Sequence, residues 1–102
     1  MDHHYDSNAE ASQAYLVHLR EKLGLTQKTM ADGLGMSLRA YSDLENGKSA
    51  VRTIHVLAAE RLTLRVAQTL DDPSVLASNV AKEVRAVAAK LWGSPSGAFP
   101  QS

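Results

Sequence analysis

The sequence has 102 residues, 44% of them hydrophobic, with five aromatic residues and eleven Lys/Arg against eleven Asp/Glu. That length suits one domain with a modest, mostly aliphatic core. The absence of cysteine excludes disulfides, thiol catalysis and cysteine-based zinc sites, and the lack of an 18-residue apolar run together with the polar opening MDHHYDSNAE predicts neither a membrane helix nor a signal peptide, so a cytoplasmic protein is expected.

Residues 1–7 are short and polar, and a disordered N-terminus is expected there. The adjacent His3 and His4 diverge in direction and have no further ligands near in sequence, so no metal site is expected. Ser7 and Glu10 fit a capping box, which predicts a first helix from about Asn8 to Leu23. Leu16, Leu19 and Leu23 share one face of it. Gly24 supplies a left-handed stop, and Leu25 follows as a core anchor. Thr26 caps a second helix, Gln27 to Leu34, with Met30, Ala31 and Leu34 as its buried stripe. Gly33 inside it costs about 1 kcal/mol relative to alanine. Gly35 allows a sharp turn. Ser37 caps a third helix, Leu38 to Glu45, with Tyr41 and Leu44 pointing inward, and Asn46-Gly47 ends it.

From Ser49 to Leu70 there is no glycine or proline, and one helix or two are both compatible with the pattern. Ile54, Leu57, Ala58 and Leu62 are expected to form its core face. Asp71-Asp72-Pro73 breaks it, with Asp72 as a cap and Pro73 in a first helical turn. A last helix is expected from Pro73 to Leu91, with Leu76, Val80, Val84, Val87 and Leu91 as one apolar stripe. The Gly/Ser/Pro-rich tail, residues 93–102, is expected to be disordered. No strand pattern or repeat is present. The expected fold is all-α, a compact bundle of five to six helices: a helix-turn-helix unit over 8–70 and a C-terminal amphipathic helix over 71–92.

The net charge is zero, but between Ser12 and Val66 there are eight Lys/Arg and five Asp/Glu. A basic centre with acidic flanks is compatible with a local nucleic-acid face. The pieces LREKLGLTQ, MADGLGMS and YSDLENGK, at their observed spacing, resemble the phage-repressor/Cro, or XRE, family of helix-turn-helix domains. The resemblance covers residues 16–62, about half the chain. It implies a lambda-repressor-like fold that binds double-stranded DNA, with the helix 38–45 in the major groove.

The resemblance also assigns roles. Gln27 lies where the family meets a phosphate at a helix N-terminus, as expected of free backbone N–H groups and a positive dipole end. Lys28, Ser37, Asn46, Gly47 and Lys48 are the remaining phosphate candidates. Arg20 and Glu45 match a structural ion pair. Leu38, Arg39, Ser42 and Asp43 are the base-contact candidates. Arg39 can bond O6 and N7 of guanine, Leu38 can touch a thymine methyl, and Asp43 can accept from a cytosine amino group or orient Arg39. Leu38 and Asp43 stand where many relatives carry an amide, and Tyr41 where Ile or Val is usual, which leaves the base sequence open.

One recognition helix spans few base pairs, so a homodimer on an inverted repeat is expected, with Leu64–Leu70 and the stripe Leu76, Val80, Val84, Val87 and Leu91 as the interface and Trp92 at its edge. An intramolecular cover is the competing role for that helix. The expected function is a homodimeric transcriptional repressor. The alternatives are an antitoxin gripping a toxin through the final helix and tail, or a protein-binding antiactivator that keeps the fold. Asp32 is a candidate contact to polymerase. His18 and His55 have no partner at metal-ligand spacing, and no Ser-His-Asp set or phosphate loop is present, so no metal, cofactor or enzymatic activity is expected.

Overall fold

The computed structural model describes the backbone of residues 2–92 and the side chains of residues 11–92. It is all-α among these residues: α1 Asp2–Leu23, α2 Gln27–Leu34, α3 Leu38–Glu45, α4 Thr53–Leu70, a 3₁₀ turn Pro73–Val75 and α5 Ser78–Trp92. The tail expected to be disordered, 93–102, lies outside the described residues.

Leu16, Leu19 and Leu23 of α1, Met30 and Ala31 of α2, Tyr41 and Leu44 of α3, and Ala59 and Leu62 of α4 make one core. Each buried leucine there contributes about 1.5–3 kcal/mol. Leu25 and Leu34 pack at its margin, partly buried. α2 comes so close to α4 that a Cβ on Gly33 would lie 2.8 Å from Cδ2 of Leu62. The glycine that weakens α2 as a helix is what lets it pack.

The structure corrects the expected elements at α1, α4 and the last helix. α1 begins at Asp2, not at Asn8. No glycine or proline occurs before Gly24, and extending a helix costs far less than nucleating one, so Ser7 need not start it. Residues 49–70 hold one helix, from Thr53. Its core face is Ala59, Leu62, Thr63 and Ala67, whereas Ile54 and Leu57 are 68% and 59% exposed. α4 is apolar on two sides, and its small residues face inward, where close approach of α1 and the 3₁₀ turn requires them.

The last helix starts at Ser78, not at Pro73. Asp72 does cap with Pro73 following, its Oδ1 accepting from the Ser74 N–H at 3.0 Å, but the result is a single 3₁₀ turn. Leu76 then turns extended (φ −64°, ψ 141°) and is buried with Ala77. Leu76 is therefore part of the chain's own interior and does not belong to the stripe on α5. Thr63 secures this junction: its hydroxyl donates to the Glu60 carbonyl at 2.7 Å and accepts from the Ala77 N–H at 3.1 Å. Lys22 Nζ donates to the Leu76 carbonyl at 2.7 Å.

Candidate nucleic-acid interface

α2 and α3 are each eight residues long and are joined by a two-part stop signal. Gly35 takes φ 74°, and the Gly35 and Met36 N–H groups donate to the Asp32 and Ala31 carbonyls at 3.1 and 2.8 Å. Such a left-handed residue suits glycine because it has no Cβ to meet the next carbonyl. Thr26 caps α2 by accepting from the Thr29 N–H at 3.1 Å, and Ser37 caps α3 by accepting from the Ala40 N–H at 3.1 Å. The first N–H groups of α2 precede the reach of its cap and lack intrahelical partners by geometry.

α3 presents one face to the core and the other to solvent. Tyr41, Leu44 and Glu45 are buried. Leu38 and Arg39 are exposed, and Ser42 and Asp43 are half-buried. These four sit at spacings of three and four and form one outward strip. Among the described residues Arg39 makes no ion pair, so Asp43 does not orient it; the salt bridges are Arg20–Glu45 and Lys28–Asp32. Asp43 acts through its backbone instead, its carbonyl accepting from the Lys48 and Ser49 N–H groups at 2.9 and 3.1 Å. That arrangement shapes the loop carrying Asn46, Gly47 and Lys48.

Glu45 anchors α3 from behind. Arg20 Nε donates to its Oε2 at 2.7 Å and Arg20 Nη2 to its Oε1 at 3.1 Å. Gln27 Nε2 donates to Oε1 at 2.8 Å, and the Tyr41 hydroxyl donates to Oε2. Gln13 Nε2 adds a bond to the Glu45 carbonyl at 2.8 Å. Burial pushes the Glu45 carboxyl up, but the hydrogen bonds from Arg20, Tyr41 and Gln27 outweigh it and hold the group below the usual carboxylate range. The same bond raises Arg20, while burial and then Glu45 raise Tyr41. The roles of Tyr41 and Gln13 have no local sequence signal; only a polar group on the inner face of α3 hints at the first.

The phosphate candidates differ in how they are engaged. The Gln27 amide is held by Glu45 but keeps a second N–H. Lys28 Nζ is 3.0 Å from Asp32 in an exposed i, i+4 pair, which is worth little and yields readily to a phosphate. The Ser37 oxygen accepts as a cap, leaving its own hydrogen free to donate. Asn46 Nδ2 donates to Ser42 Oγ at 3.2 Å, and Lys48 is exposed.

Two short helices joined at a left-handed glycine, with the second held by a buried network and bare on its outer face, define a helix-turn-helix module. The family model described as Helix-turn-helix matches residues 17–63. Neither a curated protein nor a solved structure matches the chain. The chain thus carries an XRE-type helix-turn-helix domain, the DNA-binding unit of a family of transcription regulators. Among the described residues no helix is long and apolar enough to cross a membrane.

Proposed function

We propose that the protein is a homodimeric repressor that reads an inverted-repeat operator by placing α3 in the major groove. The observation that carries this reading is Arg39. Its guanidinium stands exposed on the outer strip of α3 and, among the described residues, has no ion-pair partner. A planar fork offered that way suits the O6 and N7 acceptors of guanine, at about 1–3 kcal/mol of discrimination. Leu38 beside it, 45% exposed, suits a thymine methyl. Ser42 and Asp43 complete the strip. Gln27, Lys28, Ser37, Asn46, Gly47 and Lys48 would fix its register through phosphates.

A strip of this size reads only a few base pairs, so two copies about 34 Å apart are needed for useful specificity. Val84, Val87 and Leu91 on α5 are 40%, 54% and 69% exposed, which favours this helix as the contact between copies. Val80 is half-buried at the start of that stripe. A bound dimer would repress by occupancy, excluding polymerase. The same α5 face would serve the antitoxin or antiactivator readings.

The test is selection of sites from a random duplex library by the full chain, with Arg39→Ala as control. An inverted repeat is expected, with relaxed preference at one symmetric position in the variant. Recovery of nothing above background by folded protein would refute the operator reading and favour a protein partner.

A further inference from the structure

Two apolar stripes face each other across an open groove of about 520 Å³ between α4 and α5. On α4 the stripe runs through Leu57, Arg61 and Leu64, with Ile54 one turn before. On α5 it runs through Val80, Val84, Val87 and Leu91. Arg61 interrupts the apolar run of α4 in its middle, and Glu83 flanks the run of α5. Both line the groove and both are exposed. Among the described residues neither makes an ion pair. The other acid in the groove, Glu60, already accepts from the Tyr15 hydroxyl at 2.7 Å and from Asn79 Nδ2 at 2.8 Å.

We infer that this groove is one half of a two-fold seam with a second copy of the chain, in which Arg61 of each protomer pairs with Glu83 of the other. The inference rests on the homodimer reading and deepens it, since the reciprocal Arg61–Glu83 pairs give the seam a stated register. An occupant offering only apolar side chains would remove water from Arg61 and Glu83 and give neither a counter-charge, which is costly. A second copy brings one base and one acid to the same seam. Under a two-fold axis each contact occurs twice, so two opposite pairs form from two residues. The apolar stripes supply attraction and the charges set the alignment.

The experiment is sedimentation equilibrium on the full chain and on two reversed-charge variants, Arg61→Glu and Glu83→Arg, separately and mixed in equal amounts. Both positions are exposed, and circular dichroism checks that each variant is folded. Alone, each variant places like charges at both contacts and is expected to dimerise at least about tenfold more weakly than the wild type. In the mixture, the carboxylate introduced by Arg61→Glu meets the guanidinium introduced by Glu83→Arg at one contact. At the other, the unaltered Glu83 of the first variant meets the unaltered Arg61 of the second. Heterodimers close to wild-type affinity are therefore expected. Variants that dimerise as tightly as the wild type overturn the inference and leave the homodimer standing. So does a mixture no tighter than its components, which would mean that the charges act within one protomer. A wild type that stays monomeric at all concentrations overturns the homodimer reading as well.

Discussion

Replacing Glu45 by alanine tests whether α3 is held from behind by one carboxylate. The substitution removes the acceptor for four donor contacts, two from Arg20 and one each from Gln27 and Tyr41. Tyr41 is fully buried, so stranding its hydroxyl costs about 1–3 kcal/mol. Breaking a buried ion pair costs about 3–5 kcal/mol. The Arg20 side chain, however, is 19% exposed and keeps its bond to the Leu25 carbonyl at 3.1 Å. Rehydration therefore reduces its share to about 1–2 kcal/mol. Gln27 is half-buried and can turn to water. The sum is about 3 kcal/mol. With a urea slope of about 1–3 kcal/mol per molar, the midpoint should fall by about 1 M or more. The loss should also depend on pH. The folded-state pKa of Glu45 lies below its ordinary value of 4.5, so its contribution is complete above that value and disappears as pH falls through the folded one. Urea titrations of both proteins at pH 7 and in acid provide the measurement. A loss under about 1 kcal/mol at pH 7, or one that is the same in acid, would refute the account.

Three further outcomes follow from the geometry. Gly35→Ala places a Cβ on a residue at φ 74° with no heavy atom within 4 Å, so thermal unfolding should report a loss of about 1–2 kcal/mol from backbone strain alone. Thr63→Val keeps the shape of a buried side chain but strands the Ala77 N–H; a loss of about 1–3 kcal/mol is expected, and an unchanged melting temperature would show that the hydroxyl does not secure the α4–α5 junction. Lys48→Ala should weaken binding to every duplex alike and lower the salt dependence of affinity by about one ion per protomer, measured by fluorescence anisotropy across a salt series.

The legible parts of this chain are those in which local chemistry decides. Thr26 and Ser37 cap because their side-chain oxygens reach an N–H three residues on, and Gly24 and Gly35 stop helices because glycine takes φ near 70° without a Cβ clash. The bounds of α2 and α3 follow from these signals. α4 is harder, because it is apolar on two sides and hydropathy does not rank them. Size decides it: Ala59, Thr63 and Ala67 permit close packing, and Ile54 and Leu57 stay outside. Pro73 does sit in a first turn, but the pull of Leu76 into the core ends that turn after three residues. The Arg20–Glu45 pair is legible by resemblance. Gln13, 32 residues from Glu45, carries no signal at all.

The placement of polar contacts explains why the chain has two outward faces of different kinds. The side-chain hydrogen bonds that tie α3 to α1 and α2 lie on its inner side, at Glu45. Its orientation is thereby fixed without using Leu38 or Arg39. Substitutions at Glu45 should then change stability and DNA affinity together, whereas Arg39 should change affinity alone. α5 is the reverse case. It is tied at its start, where Asn79 meets Glu60 at 2.8 Å and the preceding Ala77 meets Thr63 at 3.1 Å, and none of its residues is buried. A helix that carries an exposed apolar stripe and buries none of its own residues gains little from that stripe within its own domain. Its stability should therefore rise with whatever covers it, and a melting temperature that increases with protein concentration would identify that cover as another copy of the chain.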